Sequence, residues 1–307
     1  MGTFEEEIFS FLSGLCGRVE RVAVSEGDML RTVRSMVCCR GGASALGVVT
    51  VPLLFFAGGG RVEELTALED GLREDGVPDV LLLYEDRWKG LGPLVRSMLE
   101  VRLGAGPRVF ARNCEVRTVS AETAAEFLGR NHLYGAAKVP YRLGLYRMRS
   151  TGAGEVPMDG TPGLVAVATF SAGRMMRDGV MSYEWVRYAS ARGVRVSGGM
   201  GRLLGAFVAG RRAGGCQDGT GTMEVMSYCD LEWYDGRSYL QMGFTDEGVR
   251  PPVAFLCPPD GSFRIHEDKL QTDRRFRQLA GDPAVAGSMV RIFNPGSRRL
   301  VYRFGAV

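Results

Sequence analysis

The chain has 307 residues, of which 45% are hydrophobic and 24% charged, a composition that excludes collagen-like and wholly disordered proteins. Its longest apolar stretch, residues 46–57, contains Pro52 and is much shorter than the ~20 residues that a membrane-spanning helix needs. The N-terminus is acidic, unlike a secretory or import signal. We therefore expect a soluble, intracellular (cytoplasmic) protein with no membrane partner.

The net charge of +3 is unevenly distributed along the chain: residues 1–115 carry −4, residues 116–250 carry +3 and residues 251–307 carry +4. Because a phosphate backbone attracts positive charge, the C-terminal part is the better partner for nucleic acid. A solvated charged face is the other interpretation of its arginines. The candidates for phosphate contact are Arg274, Arg275, Arg277, Arg298, Arg299 and Arg303.

Seven cysteines and two histidines are the soft metal ligands of the sequence. No two cysteines form a C-x-x-C pair, and only His132 and His266 could supply imidazole nitrogen. We expect no metal site, because structural zinc requires four such ligands. The cysteines are interpreted as reduced and mostly buried thiols.

The first 115 residues have the pattern of a small α/β domain. Residues 4–15 place their apolar side chains on one face of a helix. Residues 47–57 predict a strand, residues 62–72 have helical spacing, and residues 79–84 predict a buried strand. A strand, a helix and a second strand form a βαβ-type unit.

Residues 116–250 predict a mixed sheet flanked by helices. A helix begins after the N-cap Ser120 and ends near Gly129. Strands are predicted over residues 141–149, 164–170, 183–189 and 224–228, with a hairpin loop over 151–163. Further helices are predicted over residues 202–211 and 236–242.

A glycine-rich turn precedes the helix predicted to begin at residue 202. The first N–H groups of a helix lack intrahelical partners, and the helix dipole adds positive charge, so such a turn suits a pyrophosphate. We expect the turn to bind a cofactor phosphate, although a connector that binds nothing is the alternative. The cofactor-binding candidates are Arg195, Ser197, Gly198, Gly199 and Gly201.

The order of elements from 118 to 250, the Arg-x-x-Gly-x-x-Gly turn and residues 239–244 together resemble the GNAT superfamily of acyl-CoA N-acyltransferases. The resemblance implies acetyl-CoA or another acyl-CoA as cofactor, with its pyrophosphate on the turn. It also implies that Tyr239 protonates the departing CoA thiolate. The glycine spacing of the turn is one residue longer here than is usual in the family.

Five shorter motifs occur at residues 131–135, 143–146, 186–188, 197–199 and 227–230. They resemble a phage-associated branch of that superfamily, which contains the Mom DNA-modification proteins. That resemblance implies transfer to an adenine in DNA, with His132, Arg187, Ser197 and Asp230 in the site. His132 or Asp230 would remove the proton of the amine. In the structural alternatives His132 caps a helix, Arg187 pairs with Asp230, and Tyr239 belongs to the core.

Residues 83–88, 95–97 and 110–114 resemble the stretch that precedes this module in homing-endonuclease-like phage proteins, where the front domain is a PD-(D/E)xK nuclease. Nuclease chemistry of that kind needs grouped carboxylates to hold Mg²⁺. The expected core strand, residues 48–56, has no acidic residue, and Glu85 and Asp86 alone are too few. We therefore infer a degenerate nuclease-like domain without nuclease activity.

These inferences predict an α/β (α+β) protein with a degenerate nuclease-like domain at 1–115 and a GNAT-like acyltransferase domain at 116–250. A basic C-terminal extension, 251–307, is expected to pack on the second domain. The expected function is acyl-CoA-dependent N-acyl transfer to a nucleic-acid base. Trp233 and Tyr234 could stack on that base, and the alternative is that they are core or loop anchors. The alternative is a non-catalytic nucleic-acid-binding or assembly protein that retains both folds.

Overall fold

The computed structural model describes residues 3–22, 32–148, 163–213, 222–270, 272 and 287–305, which form an α+β protein as the sequence predicts. The helices are α1 (Phe4–Cys16), α2 (Leu53–Ala57), α3 (Val62–Glu74), α4 (Glu85–Gly90), α5 (Gly92–Arg102), α6 (Ala121–Asn131), α7 (Gly199–Ala213) and α8 (Arg237–Leu240). The first strands are β1 (Arg18–Val22), β2 (Arg34–Arg40), β3 (Ala43–Val51), β4 (Val80–Tyr84), β5 (Arg108–Phe110), β6 (Cys114–Thr118), β7 (Tyr141–Arg147) and β8 (Leu164–Phe170). The later strands are β9 (Arg174–Met175), β10 (Met181–Ser190), β11 (Arg195–Ser197), β12 (Thr222–Asp230), β13 (Thr245–Arg250), β14 (Ala254–Cys257), β15 (Ile265–His266), β16 (Val290–Phe293) and β17 (Ser297–Gly305).

Some predicted features lie outside these residues, namely most of the hairpin loop at 151–163, Cys216, Arg274, Arg275 and Arg277. Within the described ranges, no helix has both the length and the apolar character that crossing a membrane requires.

The chain divides into two compact units. The first contains residues 1–95, 230–235 and 249–298, and the second contains residues 96–229, 236–248 and 299–307. This division differs from the expected linear boundaries at 115 and 250. Residues 249–298 group with the first unit, whereas they were expected to pack on the second domain.

The first unit contains a sheet with the strand order β1-β2-β3-β4. Strands β3 and β4 are parallel, and α2 and α3 lie between them in the chain, so the predicted βαβ-type unit is confirmed. The strand predicted over residues 47–57 is wrong in its second half, because residues 53–57 form α2. Pro52 causes the change, since proline cannot donate a ladder hydrogen bond and is compatible with a helix start.

A smaller sheet, with the order β15-β14-β16, completes the first unit. Phe255, Cys257 and Ile292 from this sheet are buried in the same apolar cluster as side chains of β3 and β4. Tyr84, at the end of β4, donates its hydroxyl proton to the carbonyl of Phe293 at 2.7 Å. Burial of these apolar side chains explains why the late segment belongs to the first unit.

The large sheet of the second unit has the order β13-β17-β12-β10-β8-β7-β6, and β9 pairs with β10. Its β6–β7, β7–β8 and β8–β10 pairs are antiparallel, and β10 and β12 are parallel. Helix α7 packs against one face of the sheet and shares a buried apolar cluster with it. In that cluster Phe207 stacks on Phe170, with 3.9 Å between the ring centroids. Helix α6 contributes Phe127 and Leu128 to a second cluster. Every side chain of β8 is buried, as its continuous apolar run predicts.

Candidate active site

The parallel pair of β10 and β12 is hydrogen-bonded at one end only. Its ladder ends where Glu184 lies opposite Met226, although both strands continue further. After a register shift between Trp185 and Arg187, β10 remains paired with β8. The strands β10 and β12 therefore part at residues 185 and 227, a position that we call the fork. Beyond this point the facing backbone groups of the two strands no longer pair with each other, and the carbonyls of Trp185 and Arg187 accept hydrogen bonds from Ser227 Oγ and Trp185 Nε1, both at 3.1 Å.

A buried hydroxyl group lies at the fork. The Oγ atom of Ser227 is 3.1 Å from the carbonyl oxygen of Trp185 and 3.2 Å from the hydroxyl oxygen of Tyr239. A serine hydroxyl has one proton, so Ser227 can donate to either oxygen but not fully to both. The Tyr239 ring makes edge-on contacts with Trp185 at 5.7 Å and Phe244 at 5.2 Å. These contacts hold the predicted proton donor, Tyr239, beside the fork.

The glycine-rich turn joins β11 to α7, which begins at Gly199, earlier than the predicted residue 202. Gly198 has a φ of +75°, which favours glycine. A Cβ atom on Gly199 would lie 2.5 Å from the hydroxyl oxygen of Tyr188 and 2.8 Å from Val196 Cγ1. Gly199 is therefore required by the packing of the protein itself. Gly201 is exposed in the first turn of α7.

Three exposed arginines accompany this turn. Arg108 and Arg195 are opposite each other in the parallel ladder of β5 and β11, and Arg108 Nε donates to Ser197 Oγ at 2.8 Å. The guanidinium groups of Arg108 and Arg112 lie 4.6 and 4.9 Å from the centroid of the Phe110 ring. Among the described residues, no carboxylate forms an ion pair with any of the three arginines. Together with the N-terminus of α7, they form a positively charged surface that suits a phosphate group.

A cavity of about 310 Å³ lies along α7. Its walls include Gly201, Gly205 and Arg212 of α7, and Met242 and Tyr302 lie opposite them. Glycine has no side chain, so Gly201 and Gly205 leave space beside the helix. The volume is at the lower end of the range for small-molecule pockets, about 300–1,000 Å³. The cavity begins in the first turn of α7, next to the glycine-rich turn.

His132 follows α6, and its backbone N–H donates to the carbonyl of Leu128. Its Nδ1 atom accepts a 3.0 Å hydrogen bond from the backbone N–H of Tyr134. With Nδ1 engaged as an acceptor, the neutral ring carries its proton on Nε2, which is then a donor. This arrangement favours the helix-capping alternative for His132 over removal of an amine proton.

Arg187 contacts the segment that follows α6. Its Nε donates to the carbonyl of Gly135 at 3.3 Å, and its guanidinium lies 5.9 Å from the ring centroid of Tyr134. Its other described hydrogen bond goes to the carbonyl of Val186, and burial lowers the pKa of Arg187. All these acceptors are neutral backbone carbonyls. The positive charge of the Arg187 guanidinium therefore lies beside the exposed ring of Tyr134.

Asp230 is the last residue of β12 and groups with the first unit. Its Oδ1 atom accepts a hydrogen bond from the Glu232 N–H at 3.0 Å, as in a turn that follows a strand. Its role as a base stays a prediction. Trp233 is 1% exposed, which agrees with the alternative that it belongs to the core, whereas Tyr234 is 52% exposed.

Two buried carboxylates of the first unit, Asp86 and Glu232, are bound by arginines. Asp86 accepts hydrogen bonds from Arg264 at 2.6 and 2.7 Å, and Glu232 accepts from Arg264 at 2.7 Å and Arg87 at 3.2 Å. All four side chains are buried, which raises the pKa of Glu232, and the two guanidinium groups counteract that rise. Glu85 is bound separately, to a lysine and a backbone N–H. No group of three potential ligands that could hold a metal occurs in the described part of the chain.

The described arginines of the C-terminal part are also engaged. Arg299 and Arg303 both bond to Glu247, and Arg303 Nε lies 3.7 Å from Glu224 Oε2. Arg298 is half-buried. The carboxylates therefore compete with the phosphate contacts that the sequence predicts for Arg299 and Arg303.

The second unit thus combines the fork, Ser227 with Tyr239, the glycine-rich turn with its arginines, and the cavity along α7. The pairing of β5 with β11, which brings Arg108 to the turn, has no local signal in the sequence. In comparisons with known proteins, neither a family model nor a curated protein matches this chain.

Proposed function

We propose that the second unit is a GNAT-like N-acyltransferase that uses acetyl-CoA or another acyl-CoA. The observation that carries the proposal is the parallel β10–β12 pair, which parts beside Tyr239. The pantetheine arm of CoA is narrow and carries amide groups, so it could bond to the strand edges released at the fork. The thioester would then lie near the hydroxyl groups of Tyr239 and Ser227.

The other end of an acyl-CoA carries several phosphate charges. The N-terminus of α7 supplies unpaired N–H groups, and Arg108, Arg112 and Arg195 supply positive charge with no carboxylate partner among the described residues. The cavity along α7 would accommodate the part of the cofactor beyond the pyrophosphate. Because acyl-CoA is an intracellular metabolite, the proposal implies that the protein works inside the cell.

In the proposed reaction an acceptor amine attacks the thioester carbonyl, the new C–N bond forms and the C–S bond breaks. The unit would accelerate this step mainly by holding both reactants together. Tyr239 would give its phenolic proton to the thiolate, and the Ser227 proton would turn from Trp185 to the phenolate oxygen. The amine would lose its proton to solvent.

A nucleic-acid base is the proposed acceptor, because of the family resemblance and because Arg187 lies beside the exposed ring of Tyr134. An aromatic ring and a guanidinium plane can both stack on an extruded base. A non-catalytic nucleic-acid-binding protein is the second candidate. It is favoured by the first unit, where arginines neutralise the buried carboxylates.

The proposal can be tested by thermal unfolding with acetyl-CoA, using two glycines of α7. Neither Gly205 nor Gly210 has an atom within 4 Å of an added Cβ, but only Gly205 lines the cavity. Ligand at 100 times its dissociation constant should stabilise the protein by about 2.7 kcal/mol. We expect Gly205→Leu to abolish this stabilisation and Gly210→Leu to retain it. Equal stabilisation of both variants would place the ligand elsewhere, and no effect on the unchanged protein would favour the second candidate.

A further inference from the structure

The loop between β8 and β10 forms a short exposed hairpin. Residues 172–178 are all exposed, and the turn is closed by hydrogen bonds between Met176 and Val180 at 2.9 Å and between Gly179 and Met176 at 3.0 Å. Its outer segment, which we call the tip, is Arg174, Met175, Met176 and Arg177. The first two residues form β9, paired with β10, and the last two begin the turn. Two large apolar side chains, 38% and 40% exposed, thus stand between two basic ones.

The tip carries two positive charges, Arg174 and Arg177. Among the described residues, no carboxylate forms an ion pair with Arg174 or Arg177. The neighbouring Asp178 instead accepts a hydrogen bond from the backbone N–H of Val180 at 3.3 Å. The tip therefore presents positive charge and apolar surface to a partner outside the described chain.

The hairpin also leads directly to the fork. Met181 begins β10, and Trp185 follows it by four strand residues, a distance of about 13 Å. Tyr141, the first residue of β7, lies opposite Phe170, the last residue of β8. The segment that precedes β7, with the exposed Lys138, is therefore at the same end of the strands as the hairpin. This end of the sheet is basic, whereas the described C-terminal residues Arg299 and Arg303 are bound to carboxylates.

We propose that this hairpin binds duplex nucleic acid, with Arg174 and Arg177 on phosphates and Met175 or Met176 wedged between base pairs. Proteins that bend or open a duplex insert apolar side chains, methionine included, between stacked bases and contact the flanking phosphates with arginine. A base in a duplex must leave its stack before a protein can act on it, and a wedge lowers the cost of that step. The inference rests on the proposed function in one respect, namely that the acceptor is a nucleic acid.

The first test measures the affinity of the full chain for a short DNA duplex as a function of salt. Each phosphate contact contributes ~0.9 to the slope of log K against log salt, so Arg174→Gln/Arg177→Gln should reduce the slope by about 2 and the affinity by about tenfold at moderate salt. The matched control, Arg18→Gln/Arg117→Gln, removes the same charge from exposed arginines that are paired with Glu20 and Glu115. An equal effect of both double variants would overturn the inference, because net charge alone would then explain binding.

The second test follows base unstacking by the fluorescence of 2-aminopurine placed in the duplex. We expect the fluorescence to rise when the unchanged protein binds. Met175→Ala/Met176→Ala should still bind but should no longer cause the rise. A rise equal to that of the unchanged protein would exclude the wedge. Absence of duplex binding would overturn the inference. If the unchanged protein instead binds anionic phospholipid vesicles and the arginine variant does not, the hairpin binds a membrane surface.

Acetyl-CoA stabilisation, measured on the same hairpin variants, separates the two proposals. If the hairpin inference fails and the acyltransferase proposal holds, stabilisation by acetyl-CoA remains while duplex binding is absent or insensitive to the hairpin. If the acyltransferase proposal fails alone, duplex binding depends on the hairpin and acetyl-CoA has no effect.

Discussion

The guanidinium of Arg264 forms a two-pronged ion pair with the carboxylate of Asp86 in the interior of the first unit, at 2.6 and 2.7 Å. The same guanidinium bonds to Glu232 at 2.7 Å and lies 4.9 Å from the ring centroid of Tyr84. One arginine thus connects the three separate stretches of chain that form this unit. A metal-dependent nuclease holds a divalent cation between such carboxylates, whereas here the cation is an arginine side chain.

Replacing Arg264 should therefore destabilise the first unit strongly. Arg264→Gln leaves Asp86 and Glu232 buried with less compensating charge, which costs about 3–5 kcal/mol. The measurement is the midpoint of urea unfolding. As a control, Arg291→Gln removes an exposed ion pair with Glu267 and should leave the midpoint unchanged. Equal midpoints for the two variants would contradict a structural role for Arg264.

The same arrangement predicts that the protein does not cleave DNA with Mg²⁺ or Mn²⁺. Asp86 and Glu232 already bind guanidinium groups, and Glu85 is bound to Lys89. Conversion of supercoiled plasmid to nicked or linear forms is the measurement. Metal-dependent nicking that disappears in Glu85→Ala or Asp86→Asn would overturn this prediction.

Acyl transfer should depend on Tyr239 and, through it, on Ser227. We expect Tyr239→Phe to lower the transfer rate about 10²-fold, because general acid catalysis typically contributes that much or more. Ser227→Ala should have a smaller effect, and Ser227→Thr should restore activity because it keeps the hydroxyl group. Release of free thiol from acyl-CoA reports the rate.

A substrate control separates proton donation by Tyr239 from simple support of the fold. An aryl thioester releases a thiolate that needs no proton, so Tyr239→Phe and Ser227→Ala should lose less activity with it than with acyl-CoA. Equal losses with both thioesters would indicate that the two residues only support the fold.

Two buried cysteines should react slowly in the folded protein. Burial raises the pKa of the Cys38 and Cys257 thiols. A raised pKa lowers the fraction of reactive thiolate at any pH below it, so alkylation by iodoacetamide at about pH 8 should be slow and should accelerate in denaturant. Cys39, next to Cys38 on β2 but only partly buried, is the internal control. Peptide mass spectrometry gives the rate at each site, and equal native rates at Cys257 and Cys39 would contradict the prediction.

The local apolar pattern was sufficient for helices that bury one face and for strands that are buried on both faces. Helices α1 and α3 and strands β4 and β8 lie close to their predicted ranges, because their apolar spacing directly reflects burial. Helix α4 had no such signal: Asp86, Arg87 and Trp88 are all buried in it, and charged residues in sequence indicate exposure. The distant partners Glu232 and Arg264 bond to Arg87 and Asp86 and so make the burial of these two charged side chains compatible with folding.

The candidate site also contains residues that the sequence indicates and contacts that it does not. The glycine-rich turn is a pattern of residues close in sequence, and Tyr239 was indicated by the family resemblance. Arg108 contacts Ser197 across 89 residues, and Ser227 reaches Tyr239 from a different element, so neither contact can be read from spacing. His132 was expected as a base because of the motif resemblance, and a neighbouring backbone N–H occupies its Nδ1 atom.

The division of the chain into two interleaved units affects how it must be synthesised. The first unit includes residues up to 298 and the second includes residues 299–307, so a ribosome completes neither until nearly all of these residues have emerged. A fragment ending at residue 250 would lack Arg264 from one unit and β17, which lies between β13 and β12, from the other. Its incomplete sheets would expose strand edges that promote aggregation. Neither unit is therefore expected to fold before its last strand has emerged, and expression of either half alone should give insoluble protein.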